Sequence, residues 1–266
     1  MNVKSALQHA QGLDVLDAQI LLAHVLRTSR ASLYSHDERV LTDAEKSAWQ
    51  LMVTKRLSGV PVAYLMGEKE CMGMMFEVTP DVLIPRPDTE CVIETALSLL
   101  KPNASVLDIG TGSGVIACAI AALKPDCHVL ATDISDLALA VTQRNIVRHH
   151  LKNVTTQSSD LFANIHQSFD LIVSNPPYIV DGDPYLQGEI RYEPKMALVA
   201  DEQGLGVIRR LIEGSVTHLN AGGWVCLEHG FEQASEVQAI LKKQGFNNIQ
   251  TVKDLSGHDR VTMGLL

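Results

Sequence analysis

The sequence predicts an α/β protein. It should have a mostly parallel sheet with helices on both faces and an antiparallel edge hairpin, preceded by a small all-α domain and a β-hairpin connector. Three observations lead there. After residue 104 short apolar runs alternate with helical stripes, before residue 60 only helical stripes occur, and the segment between is broken by prolines. Strands that alternate with helices need crossover connections, which make neighbouring strands parallel and place helices on both faces. At 266 residues one large and one small domain are expected. The composition shifts divide the chain into residues 1–60, 61–90 and 91–266.

In the first part, Val15, Leu16, Gln19, Leu22, Ala23 and Leu26 recur at three- and four-residue spacing, the stripe of an amphipathic helix. Thr42-Asp43-Ala44-Glu45 has the form of a capping box, opening a helix with Trp49, Met52, Val53 and Leu57 along one side; Gly59 and Pro61 end it. In the connector, Met75–Val78 and Val82–Ile84 read as strands joined by a Thr79-Pro80-Asp81 turn. Pro85-Arg86-Pro87 stops any strand, and Thr89 and Glu90 lead into a helix through Leu100. Strands are then expected at Ser105–Ile109, His128–Thr132, Val154–Gln157, Leu171–Ser174, Trp224–Glu228, Ile249–Lys253 and Val261–Leu265. Helices are expected at Val115–Leu123, Leu137–His149, Gly204–Leu219 and Glu232–Gln244. The short link between the last two strands predicts the edge hairpin.

Composition narrows the function classes. The apolar stretch Gly114–Leu123 is too short to span a bilayer, and Asp14 and Asp17 before Ile20–Leu22 do not form a secretory layout. A cytoplasmic protein without a membrane partner is expected. The five cysteines form no CxxC pair, so buried free thiols are expected, and adjacent His149-His150 do not share a helix face as metal ligands would. A net charge of −9 argues against a protein that neutralises duplex phosphates. That charge falls mainly on residues 81–266, so the near-neutral first 80 are the better place for a nucleic-acid or ribosome-like partner.

Three constellations carry chemistry. In the first, the apolar strand Val106–Ile109 runs through Asp108 into Gly110-Thr111-Gly112-Ser113-Gly114 and straight into a helix. Glycines there allow close backbone approach to a ligand, and G-x-G-x-G lacks the third-glycine offset of a dinucleotide site. Asp108 can accept from the turn's amides or face the cationic end of a ligand. In the second, Asp133 stands 23 residues after Gly110, at the end of the next strand. It can take both hydroxyls of a ribose, which NAD and S-adenosylmethionine share, or serve as a helix N-cap. In the third, the segment from Phe169 carries the expected strand Leu171–Ser174 into Asn175-Pro176-Pro177-Tyr178. Prolines remove backbone donors, leaving the Asn175 side-chain oxygen and the Pro176 carbonyl to accept the two hydrogens of a planar –NH2 group. Tyr178 could stack on that group.

Together the three motifs resemble class I methyltransferases, with their Rossmann-like sheet, and Asn-Pro-Pro-Tyr is similar to the amino-methyltransferase subset. Four further segments resemble the release factor glutamine methyltransferases of the HemK/PrmC family. They are Arg56-x-x-Gly59-x-Pro61-x-x-Tyr64-x-x-Gly67, Leu83–Glu90, Tyr192–Leu198 and Gly257-His258-Asp259-Arg260. The likeness spans essentially the whole chain, and its Pro-Arg-Pro-x-Thr-Glu and Tyr-Glu-Pro segments discriminate best. It implies S-adenosyl-L-methionine as cofactor and, as partner, peptide-chain release factors methylated at the glutamine of a Gly-Gly-Gln loop. It implies that Gly110–Gly114, Asp108, Asp133, Asp160 and Leu161 bind the cofactor, together with Asn175. It further implies that Asn175, Pro176, Pro177 and Tyr178 hold the glutamine amide, with Asn175 and Pro176 catalytic. Arg86 and Glu90 are expected to order the loop over the substrate, and residues 1–60 to recognise it. Leu161 and Cys71 depart from the pattern by standing where aromatics are expected. A monomer without a stable nucleic-acid partner is expected. The alternatives are methylation of an exocyclic base amine, an NAD-dependent enzyme, and a cofactor-binding module without catalysis. The first predicts a basic groove and a target-recognition segment that are not evident, and the last predicts damage to Asn175–Tyr178, which is intact.

Overall fold

A computed structural model describes residues 1–266, which form two compact units. The first comprises Met1–Glu68 and Gln187–Tyr192; the second comprises Lys69–Leu186 and Glu193–Leu266.

The first unit is built from α1 (Val3–Gln8), α2 (Val15–Val25), α3 (Arg30–Ser35), α4 (Asp43–Leu57) and α5 (Val62–Met66). Side chains of Asn2, Asp14, Ser29 and Thr42 cap the first four, supplying acceptors for amides that have no partner within the helix. The capping box before α4 forms as expected, with the Thr42 N–H donating to Glu45 at 2.8 Å and the Glu45 N–H donating to Thr42 Oγ1 at 3.3 Å. Leu21, Leu22, Leu33, Leu41 and Trp49 make the core. The stripe of α2 differs from the expectation at its start: Val15 and Leu16 are exposed, and burial begins at Ala18. These two residues occupy the first turn after the Asp14 cap. Arg56 donates through Nε to Asp17 at 2.7 Å and also pairs with Glu189, so one guanidinium joins α2, α4 and the returning segment 187–192.

The connector hairpin is displaced from its expected position. Its strands are β1 (Glu68–Cys71) and β2 (Met74–Glu77), joined through Met72 and Gly73, which both have positive φ (52° and 72°). Two left-handed central residues make the turn whose twist matches a hairpin. Val82–Ile84 is not a strand. Thr79 and Asp81 close a turn of their own, and the Ile84 N–H is taken at 3.0 Å by the carboxylate of Glu193. Then α6 (Pro87–Leu99) starts with proline at its first position, where no N–H is needed.

The rest alternates as expected: β3 (Ser105–Ile109), α7 (Val115–Leu123), β4 (His128–Asp133), α8 (Asp136–Arg148), β5 (Val154–Ser158), β6 (Phe169–Ser174), α9 (Gly206–His218), β7 (Leu219–Glu228), α10 (Ala234–Lys243), β8 (Asn247–Lys253) and β9 (Asp259–Leu265). Sheet order is β5-β4-β3-β6-β7-β9-β8, parallel from β5 to β7 and antiparallel at β7–β9 and β9–β8. Successive residues of a strand face opposite sides. Val106 therefore packs with α6 and α7, while Leu107 and Ile109 pack with α9 and α10. Covering both faces explains why the central strands read as unbroken apolar runs. The order reverses beside β3, where β3 and β6 are neighbours although β4 and β5 lie between them in sequence. In open sheets of this kind the crevice beyond the strand ends at that point is where ligands bind.

Candidate active site

Beyond the carboxyl ends of β3, β4 and β6 lies a cavity within the second unit. Gly110, Thr111, Gly112, Ser113, Asp133, Asp160, Leu161, Asn175, Pro176 and Pro177 all line it. Asp108, Gly114, Tyr178, Arg86 and Glu90 do not.

The glycine turn is left-handed at Gly110, Gly112 and Gly114 (φ 72°, 58° and 81°). A Cβ at Gly110 or Gly112 would meet no protein atom within 4 Å, so their missing side chains leave an open cradle. Gly114 differs: a Cβ there would come within 2.8 Å of Thr142 on α8. The amides of the turn are largely committed. Those of Gly110 and Thr111 donate to the Thr132 carbonyl at 2.8 and 2.9 Å, and that of Gly112 donates to Asp133 at 3.0 Å. Asp108, fully buried, accepts from the Thr111 hydroxyl at 2.6 Å and from the Ala117 amide at 3.2 Å. A carboxylate thus stands at the start of α7, where a dinucleotide site would seat its pyrophosphate. Burial pushes Asp108 up to about 7 despite these donors, and its Oδ1 has no partner.

Asp133 accepts from Gly112 through Oδ2 and from Ser135 through Oδ1 at 2.9 Å, and Ser135, not Asp133, caps α8. Asp133 also lines the cavity, and a carboxylate has acceptor capacity beyond these two bonds for the hydroxyls of a ligand. Burial raises this carboxyl too. Ser159, Asp160 and Leu161 line the cavity as well, as do Arg210 and Leu211 of α9. The residues therefore fit an adenosyl ligand carrying a cation, S-adenosyl-L-methionine. The cradle left open at Gly110 and Gly112 gives room for the nucleoside, Asp133 and Asp160 set carboxyl groups on the cavity wall, and Asp108 holds a further one beneath the turn with an unpartnered Oδ1.

Asn175 stands one residue beyond β6. Its Nδ2 donates to Thr89 Oγ1 on α6 at 3.4 Å. With the donor end turned there, Oδ1 is the end of the amide available to a ligand. Pro176 and Pro177 have no N–H, and the carbonyl oxygens of Asn175 and Pro176 accept no backbone hydrogen bond. Tyr178 turns away from the cavity, its hydroxyl donating to Glu228 at the end of β7 at 3.1 Å. Gln233 donates to the Tyr178 carbonyl at 3.2 Å and to that of Gln203 at 3.3 Å, fastening the loop on its outer side.

Arg86 and Glu90 act on neighbouring loops. Arg86 pairs with the buried Glu193, and Glu90 accepts the Met72 N–H at 2.9 Å in the hairpin turn. Pro85, Thr89 and Pro194 beside them line the cavity. Sequence reasoning missed Thr89 as a partner of Asn175, Arg210 as a wall, and Glu228. An acidic residue closing a strand at the ligand-bearing edge was the available signal for Glu228.

Residues 2–67 match the PrmC N-terminal domain and residues 91–188 match the methyltransferase small domain. The release factor glutamine methyltransferase of Bordetella pertussis is 43% identical over 96% of both chains. That of Escherichia coli is 41% identical over 93% of this chain and 91% of its own. Among solved structures, a methyltransferase from Pyrococcus furiosus aligns with a TM-score of 0.57 at 22% identity, over 80% of this chain and 96% of its own. A 16S rRNA methyltransferase from T. thermophilus, solved with AdoMet and guanosine, aligns at 0.55 and 20% identity, over 74% and 49%. These two likenesses carry the fold alone.

Proposed function

This chain belongs to the release factor glutamine methyltransferase family, and on that premise we propose that it methylates the side-chain nitrogen of the Gly-Gly-Gln glutamine in peptide-chain release factors. It is an S-adenosyl-L-methionine-dependent protein methyltransferase with a Rossmann-like fold. The carrying observation is the arrangement at Asn175, with Nδ2 tethered to Thr89 and the acceptor end left to the cavity that Asp133 and the glycine turn also line.

When bound, the cofactor supplies an electrophilic methyl group on sulfur. The methyl carbon would exchange its bond to sulfur, whose electron pair stays on sulfur, for a bond to the glutamine nitrogen held by Asn175 and Pro176. An amide nitrogen is a weak nucleophile because its lone pair is delocalised. Asn175 Oδ1 and the Pro176 carbonyl accept one N–H each, holding the –NH2 plane and stabilising positive charge as it develops on nitrogen. Their second effect is orientation, presenting the nitrogen face to the donor. The charged N-methylamide is strongly acidic and gives its proton to Asn175, Pro176 or water, so no dedicated base is required. With the cofactor bound, Asp133 would hold the ribose and Leu161 would pack on the adenine. Arg86 and Glu90 order the walls of the substrate entrance. Residues 1–60 recognise the release factor, 61–90 connect, and 91–266 carry the chemistry. The enzyme acts as a monomer on a protein, in keeping with a net charge of −9.

The test is transfer of labelled methyl from S-adenosyl-L-methionine to a panel of release factor, tRNA and DNA by wild type and Asn175→Ala. The expected outcome is label on the release factor glutamine, with turnover lost in the variant and cofactor affinity retained. Label on nucleic acid, or near-wild-type activity of Asn175→Ala, overturns this assignment.

A further inference from the structure

Glu228 ends β7 beside the loop that carries Asn175, and nothing in the mechanism above uses it. β6 and β7 run parallel with Ser174 opposite Leu227, so Asn175 and Glu228 are the next pair in register. The Glu228 side chain is buried at 1% exposure. Its Oε1 accepts the Tyr178 hydroxyl at 3.1 Å, and its Oε2 has no hydrogen-bond partner. A buried carboxylate oxygen without a donor is costly, and such costs are retained where they serve a site.

We propose that Glu228, as a carboxylate, is a positioning residue for methyl transfer, setting which end of the Asn175 amide faces the substrate. This inference rests on the reading of Asn175 as the acceptor for the glutamine N–H. An ionised carboxylate only accepts hydrogen bonds. It draws donors toward the protein, the Tyr178 hydroxyl that it accepts and the Asn175 Nδ2 beside it, whose own hydrogen bond runs to Thr89, and Oδ1 is left for the substrate. A protonated Glu228 has a hydrogen to give, and Asn175 Oδ1 is an acceptor beside it. Turning Oδ1 inward brings Nδ2 outward against the substrate N–H, donor against donor.

The groups facing Glu228 are Asn175 and Tyr178 from the loop after β6, Arg260 from β9, and Asp88 and Cys91 from α6. Burial pushes Glu228 up to about 7, opposed by Tyr178, Arg260 and Asn175 and reinforced by Asp88. Arg260 cannot hold Glu228 ionised alone, because it also donates to Asp254 at 3.0 Å and pairs with Asp88 at 3.3 Å. The carboxyl therefore changes state near neutrality, and the competent form is the one present at higher pH.

The experiment uses the full-length enzyme with Glu228→Gln and Glu228→Asp. The Asn175 side-chain amide resonance, assigned by its loss in Asn175→Ala, is followed from about pH 5.5 to 8.5. In the wild type it titrates in one step near neutrality, and in Glu228→Gln the step is gone. On a release factor, Glu228→Gln loses about 100-fold in kcat with cofactor affinity and melting temperature near wild type. Glu228→Asp restores part of that loss. The wild-type rate rises with pH below about 7 and then levels, while the residual Glu228→Gln rate is flat. Wild-type turnover in Glu228→Gln, an acid limb that survives in it, or a wild-type Asn175 amide that does not titrate each overturns the inference. The amide titration needs no substrate. A titrating amide in an enzyme inactive on release factors supports the role of Glu228 and counts only against the proposed substrate.

Discussion

Arg86 and Glu193, 107 residues apart in sequence, meet as an ion pair in which only the arginine reaches water. Glu193 has 1% of its side chain exposed against 34% for Arg86, and its second oxygen accepts the Ile84 N–H at 3.0 Å. Their chain neighbours Pro85 and Pro194 line the cavity, so the pair sets where two of its walls stand. The Pro-Arg-Pro and Tyr-Glu-Pro segments are thus two halves of one fastening.

This asymmetry orders two substitutions. Arg86→Met strands a buried carboxylate and should cost about 3 kcal/mol, the usual penalty for removing one partner of a buried pair. Glu193→Gln keeps an acceptor for Ile84 and lets Arg86 turn to water, costing about 1–2 kcal/mol. Urea unfolding of both variants measures the order, and the reverse order refutes it.

The glycine turn offers a second contrast. Gly114→Ala places a methyl 2.8 Å from Thr142, whose hydroxyl donates to the Gly112 carbonyl at 2.9 Å. We expect a stability loss of about 2–3 kcal/mol, from overpacking and a left-handed backbone together. Gly112→Ala meets no protein atom but projects into the cavity. It should lose only about 1 kcal/mol of stability and weaken cofactor binding at least about tenfold. Calorimetric melting and titration separate the two.

Asp108 makes stability depend on pH. Its folded-state value, about 7, lies above its ordinary 3.8, so the native state holds the proton longer than the unfolded chain does. That stabilisation is complete below about pH 4 and is lost as pH rises through about 7. Asp108→Asn cannot ionise. Its stability relative to wild type should therefore climb across this window, by up to about 4 kcal/mol. Chemical denaturation at several pH values checks the slope; a difference that is constant with pH contradicts it.

Leu161 lines the cavity, and under the proposed function it offers the adenine apolar packing without a ring. Leu161→Phe should tighten S-adenosyl-L-methionine binding several-fold, since an aromatic pair adds about 1 kcal/mol beyond area burial, with kcat little changed. Unchanged affinity would place the adenine elsewhere.

The regular elements were legible because their signals are local. Val115–Leu123 is helical over the expected residues, and Ser105–Ile109 is the expected strand. Three apolar residues can be read as a strand at Val82–Ile84, but strand formation needs a partner edge, and Glu193 takes the amide instead. The true hairpin turn was hidden because Met72, not a turn-forming residue by type, carries a positive φ. Its amide donates to Glu90.

The same division holds at the Asn-Pro-Pro-Tyr loop. Its donors and acceptors, the prolines that free the carbonyls, and the strand that ends there are all readable along the chain. Those follow from covalent chemistry and periodicity. Which end of Asn175 is tethered, that Tyr178 faces Glu228 rather than the cavity, and that Arg86 reaches Glu193 depend on contacts between distant segments. A hydrogen bond joins whatever the fold brings within about 3 Å. Sheet order, which pairs β6 with β7 and β3, is a property of the whole chain and not of any window along it.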